Sequence, residues 1–229
     1  MPQDPEIAAL LQDENRFEKQ NAAALERFVD RQLVEDGLYD LEANLALLKI
    51  YLIYPQECKV EYLQKVLVKA IMALPETHFL LCMYQIPEKY HKHEDIAPIC
   101  DLAQLLEFAK FRQFWADYKA NKHAYSLNIV VGFVREVRRF ILSVVTITYN
   151  CINKSDLAEL VDMEVDSAEL AAVIKDHGWS EDGPRVVLRR LADNEVAPTE
   201  SRTQKTLTLD QLTKALGVTE SVQGYAYCR

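Results

Sequence analysis

Glycine and proline are scarce in this chain, with six glycines and eight prolines among 229 residues. A Rossmann fold, a P-loop NTPase and a β-sandwich all depend on glycine turns, so none of them fits. Cysteine is also sparse. Cys58, Cys82, Cys100, Cys151 and Cys228 are an odd set with no C-x-x-C, which excludes a zinc ribbon or a thioredoxin-type dithiol and reads as reduced core cysteines. A long apolar run is missing as well. The longest stretch without Asp, Glu, Lys or Arg is Phe140 to Asn153, too short for a spanning helix, which needs about 20 residues. Met1 to Asn15 carries four acids and no signal-like apolar core, so a cytoplasmic protein without membrane attachment is the expectation. Basic excess is absent: 26 Lys and Arg face 35 Asp and Glu, a formal charge of −9, which argues against a dedicated DNA binder.

What is present is helical periodicity. Residues 1–20 are polar and acidic and are expected to be at most weakly helical. From residue 21 to 125 the apolar positions recur at helical spacing. Leu25, Phe28, Val29 and Leu33 form one stripe, stopped by Gly37. Asp40 is placed to cap a second stripe, Leu41, Leu45, Leu48 and Leu52, which ends before Pro55. A third runs from Val60 to Leu74 and stops at Pro75. Short helices follow at Phe79–Ile86, at Ile99–Ala109 and at Phe111–Tyr118. Six short helices with short links suit stacked helical hairpins, as in an α-solenoid. Trp115 and Trp179 are expected as core anchors rather than base-stacking platforms.

Val130, Phe133, Val137, Phe140, Ile141, Val144, Ile147 and Cys151 hold a helical period, which predicts one long bridging helix over 126–152. After Asn153 the texture changes. Ser155 is expected to cap one short helix, and Asp166 with Glu169 forms a capping-box pattern for the next, closed by Gly178. Strand-like segments follow at Arg185–Leu191 and Lys205–Leu209, separated by a polar stretch. Helix, helix, strand, loop, strand is the order of a winged helix, assigned to 153–217, with 218–229 as a tail. The fold class is therefore mainly α: a solenoid-like helical region followed by a small winged-helix module.

No catalytic constellation emerges. Ser126, Ser143, Ser155 and Ser180 lack a nucleophile motif, and no G-x-S-x-G occurs. His91, His93, Glu94 and Asp95 have the right chemistry for a metal, but no distant ligand pair completes a site, so no metal and no cofactor is expected. The helix expected to read DNA carries Asp166, Glu169 and Asp176 against Lys175, which repels phosphate. Two basic groups stand out as candidate RNA or acidic-partner contacts. One is Arg135, Arg138 and Arg139, which share a helical face and could equally serve internal ion pairs. The other is in the wing region, where Arg202 and Lys205 join Arg185, Arg189 and Arg190.

The residues also carry a resemblance. Tyr39-Asp-Leu-Glu-Ala-Asn-Leu-Ala46, with Lys49 and Tyr51, resembles the signature of the subunit k family of eukaryotic translation initiation factor 3. Leu74-Pro75, Leu81-Cys82, Phe114-Trp115, Val137-Arg138 with Phe140-Ile141, Val144-Val145 with Ile147-Thr148-Tyr149, Leu157-Ala-Glu159 and Gly178-Trp-Ser180 follow in the same order. The resemblance spans roughly residues 21–191, with the 39–46 block its most specific part. It implies a HEAT-like helical region followed by a winged helix, the PCI arrangement, in a non-catalytic subunit of a large assembly on the 40S ribosomal subunit. Subunit l is the first neighbour it implies. A scaffold subunit of the proteasome lid or COP9 signalosome, or a free-standing RNA-binding winged-helix protein, are the alternatives.

Winged helices of that class dock on one another through their sheets, and an exposed strand edge is normally blunted or used. The segment Arg185, Val186, Val187, Leu188, Arg189 and Arg190, with the adjoining end of the long helix, is accordingly the expected partner contact. Val186 and Leu188 fall on one face of this strand and Val187 on the other, with the arginines at the polar rim.

Overall fold

The computed structural model describes residues 5–12, 16–121 and 130–188. The first helix, α1 (Pro5–Gln12), begins on a proline, whose missing N–H costs nothing at a helix start, and carries Glu6 in its first turn. Residues 1–20 were expected to be weakly helical at most. Instead, Ile7 is buried, and Leu10, Leu11 and Phe17 pack against the core.

Seven further helices follow, six of them where the apolar stripes predict and the four-residue α6 inside the charged 88–95 connector, where none was expected: α2 (Ala22–Val34), α3 (Leu41–Ile53), α4 (Val60–Met72), α5 (His78–Gln85), α6 (Glu88–His91), α7 (Ala97–Glu107) and α8 (Phe111–Asn121). Their punctuation is physical. Gly37 takes a left-handed backbone after α2, with φ of 74°. Asp40 Oδ1 accepts from the Ala43 N–H at 3.1 Å and so caps α3. Helix α2 packs on α3 and α4, α5 on α3 and α4, and α7 on α4 and α8.

The 39–46 block is explained by this hairpin. Asn44 is buried on α3 and exchanges two hydrogen bonds with buried Gln32 of α2, at 2.8 and 3.2 Å. Two amides facing each other satisfy most of each other's polar groups, which is how they tolerate burial. The same Gln32 side chain accepts from the Asp40 N–H. Tyr39 stacks on His78 with centroids 5.6 Å apart. One hairpin turn further on, Tyr51 donates to Glu26 at 2.7 Å, and Lys59 holds the other Glu26 oxygen at 2.6 Å. The block's polar residues thus lock α2 to α3.

The remaining elements are α9 (Phe133–Thr148), β1 (Cys151–Asn153), α10 (Lys154–Val161), α11 (Ala168–Asp176), β2 (Ser180–Asp182) and β3 (Arg185–Val187). The three strands form one antiparallel sheet in the order β1-β3-β2. Helix, strand, two helices and a two-stranded wing make a winged helix whose first helix is α9. Gly183, with φ of 59°, sits in the two-residue turn between β2 and β3, where a left-handed backbone is needed. Ile152, Leu157, Val161, Leu170, Ile174, Trp179, Val186 and Leu188 join Val137, Ile141 and Val145 of α9 in a core continuous with that of the helical region.

Several expectations are corrected. The long helix is α9 and ends at Thr148. Cys151, counted in its helical period, lies in β1, because Ile152 must turn inward to meet Val186. Residue 153, not 155, is the cap position of α10, so Ser155 lies inside its first turn. Ser167, not Asp166, caps α11, its Oγ accepting from the Leu170 N–H at 3.2 Å. The strand expected at Lys205–Leu209 lies outside the described residues, as do residues 126–129 and the tail.

Candidate partner-binding surface

Strand β3 was expected to offer an edge. It is instead the central strand, with β1 on one side and β2 on the other, so over Arg185–Val187 its main chain is already paired. Val186 and Leu188 are 0% and 4% exposed and belong to the core, so neither can touch a partner. Val187 and Arg185 are exposed on the outer sheet face, as the alternation predicts. Arg189, Arg190, Arg202 and Lys205 lie outside the described residues.

The open edge among the described residues next to α9 is that of β1. Leu188 N–H donates to the Asn150 carbonyl, and Lys154 N–H donates to the Pro184 carbonyl, at 3.0 and 2.9 Å. Antiparallel pairing alternates, so Ile152 spends its main-chain groups on Val186 while those of Cys151 face outward. Beside this edge stand Ile147 and Tyr149 at the end of α9, both exposed. A cleft of about 490 Å³ opens alongside, lined by Phe111, Arg112, Tyr149, Ile152, Asp156 and Leu160. A smaller one of about 330 Å³ runs from Tyr149 past Cys151 and Asn153 to Arg185. Apolar side chains next to unpaired main-chain groups suit an added strand whose alternate side chains enter the clefts. Arg112, paired with Asp156 and Glu159 at 3.0 and 2.7 Å, forms a polar rim. Sequence reasoning included the adjoining end of the long helix in the contact but read Cys151 and Ile152 as helix, and so did not see them with Tyr149 as a strand edge. The β-branched run ending at Tyr149 is no signal for this edge, since it lies in α9, and the three residues of β1 carry none of their own.

The arginine face of α9 is committed to ion pairs and caps. Arg135 grips Asp36 with two nitrogens and also bonds Glu136. Glu136 in turn holds Arg139 at 2.7 Å. Arg138 donates to the carbonyls of Val161 and Asp162 at 2.9 and 2.7 Å, closing the end of α10. The charge of Arg135 and Arg139 is thus matched by acids rather than left as a bare basic strip.

In the 88–95 connector, His91 Nε2 lies 2.9 Å from the Ile86 carbonyl and His93 pairs with Asp95. Among the described residues no group of three or more His, Cys, Asp or Glu is placed to hold a metal. Nor is any described helix long and apolar enough to cross a membrane.

Comparison with known proteins agrees with this architecture. The CSN8/PSMD8/EIF3K family matches residues 57–200, which run from the end of the first hairpins through the winged helix. Eukaryotic translation initiation factor 3 subunit K of Bos taurus is 38% identical over 176 residues, 77% of this chain and 79% of that protein. The Homo sapiens protein of the same name is 36% identical over the same shares. That of Drosophila erecta is 31% identical over 190 residues, 83% of each. With the α2–α3 lock, the helical hairpins and the winged helix all in place, the chain belongs to the subunit K family of eukaryotic translation initiation factor 3, within the wider CSN8/PSMD8/EIF3K family.

Proposed function

We propose that this chain is a non-catalytic assembly subunit of a translation initiation factor 3 complex. The observation that carries the reading is its likeness, at 36–38% identity over 77% of the chain, to proteins named as subunit K of that factor. Those relatives favour this complex over the proteasome lid and the COP9 signalosome, although the wider family name joins all three lineages. The winged-helix sheet and the adjoining end of α9 form the contact with the neighbouring subunit, subunit l, and the chain reaches the 40S subunit through the complex. It works in the cytoplasm, where that ribosomal subunit is engaged. Any direct RNA contact falls to the exposed arginines of α9 and the wing and is secondary, because acids offset Arg135 and Arg139.

The open β1 edge supports the contact, and main-chain pairing there supplies affinity while the flanking clefts select the partner. Cys151→Pro removes one outward N–H without touching the bonds of β1 to β3, and edge strands tolerate proline when that N–H faces out. Subunit-l capture by the Cys151→Pro chain should fall by roughly tenfold, the worth of one or two lost interface hydrogen bonds. Val187→Pro is a poorer probe, since the alternation turns the Val187 N–H toward β2 and the change breaks the sheet itself. Wild-type capture by Cys151→Pro would move the interface to the helical face between residues 41 and 74.

A further inference from the structure

A separate cleft of about 260 Å³ lies where the α2–α3 link, the end of α4 and one face of α9 meet. Asp36 and Tyr39 line it from the link, Lys69 and Met72 from α4, and Arg135 and Glu136 from α9. Most of its charges cancel. Arg135 bridges Asp36 and Glu136, and Arg139 holds the second oxygen of Glu136. Lys69 is different. The residue is 4% exposed, yet among the described residues no hydrogen bond or ion pair holds its ammonium. Burial pulls its pKa below the usual lysine value, and Asp36 and Glu136 act on it only through longer-range attraction.

The Lys69 stem is covered while its Nζ opens on the cleft, and an ammonium so placed with no carboxylate of its own is one that proteins normally pair. The lining counts three cations against two anions, a local excess of one positive charge on a chain of net charge −9. We propose that this cleft seats one acidic side chain, a glutamate or aspartate, presented by a partner protein, with its carboxylate on Lys69 Nζ. Met72, Ala73 and the Tyr39 ring supply apolar walls for the methylene stem. Phosphate is the poorer match. It brings close to two charges to a site with one unpaired cation, and the Asp36 and Glu136 carboxylates repel the surplus. The site is distinct from the sheet edge, so its occupant need not be the neighbour that pairs with β1.

The test is an NMR titration of the full chain with N-acetylglutamate N-methylamide, its glutamine counterpart and inorganic phosphate, each as a separate probe. The glutamate probe should give saturable shifts at the Met72 methyl and the Ala73 amide, and the glutamine probe should bind at least about tenfold more weakly. Lys69→Met, which keeps the stem length, should abolish the shifts without loss of fold. Glu136→Gln removes a competing anion and should tighten the glutamate probe about two- to fivefold. Equal binding of the glutamine probe, undiminished binding to Lys69→Met, shifts with phosphate alone, or no binding by any probe would each overturn the assignment. The glutamate-against-glutamine comparison uses the unmodified chain, so it decides the matter even if Lys69→Met does not fold.

Discussion

The end of α10 offers a quantitative test of how the winged helix is fixed to the helical region. A helix leaves its last carbonyls without intrahelical donors. At the end of α10 the carbonyls of Leu160, Val161 and Asp162 are met from outside. Trp115 of α8 donates Nε1–H to Leu160 at 2.8 Å, and Arg138 of α9 donates to Val161 and Asp162. The Arg138 guanidinium also lies 5.9 Å from the Trp115 ring centroid. Trp115→Phe keeps most of the ring but orphans one carbonyl, at a cost of about 2 kcal/mol once the smaller ring is included. Arg138→Met orphans two carbonyls, but the side chain is 24% exposed, so water recovers part of the loss and about 2 kcal/mol is expected again. The guanidinium–ring contact should appear as a coupling of roughly 0.5–1 kcal/mol in the double variant. Urea unfolding measures all three, and each single change should lower the thermal midpoint by about 4–8 °C. A Trp115→Phe protein within about 0.5 kcal/mol of wild type would refute the capping argument. A fully stable Arg138→Met would show that this arginine is free for another role.

Two further outcomes follow from the helical region and the strand. Asn44→Ala should cost about 1–3 kcal/mol by leaving the buried Gln32 Nε2 without its acceptor, while Oε1 keeps the Asp40 N–H; the joint change of Gln32 and Asn44 to leucine should recover only part of that, because it orphans the Asp40 N–H, as chemical denaturation would read. Iodoacetamide labelling followed by mass spectrometry should modify exposed Cys151 early and Cys82 last, because burial closes access to Cys82 and pushes its thiol up to about 12. Early labelling of Cys82 in the native state would contradict the packing of α5 on α3 and α4.

How much of this was legible beforehand depended on the range of the determining contact. The ends of α3 are local events, a cap at Asp40 and a stop before Pro55, and both can be read from adjacent residues. The stripe of α4 and the burial of Trp115 likewise follow from a short period. Strand β1 does not. It has three residues, and what makes it a strand is Val186, over thirty positions away. A β-branched run that continues a helical period fits either reading until that partner is known. The partner surface failed for the same reason. An apolar segment flanked by arginines predicts a strand at 185 but cannot say whether it is central or at the edge. The caps moved by one or two residues because Asn153, Ser155, Asp166 and Ser167 are all competent capping types, and packing chose among them. The roles of Arg135 and Arg138 rested on Asp36 and on the end of α10, neither of which their own helix reveals.

Sedimentation of a native extract through a sucrose gradient reads whether the chain sits in a large initiation assembly. The chain should migrate with the other subunits of translation initiation factor 3, and after mild crosslinking part of it should move with the 40S subunit. Recovery of the chain near its own 26.3 kDa, with the other subunits migrating elsewhere, would contradict it.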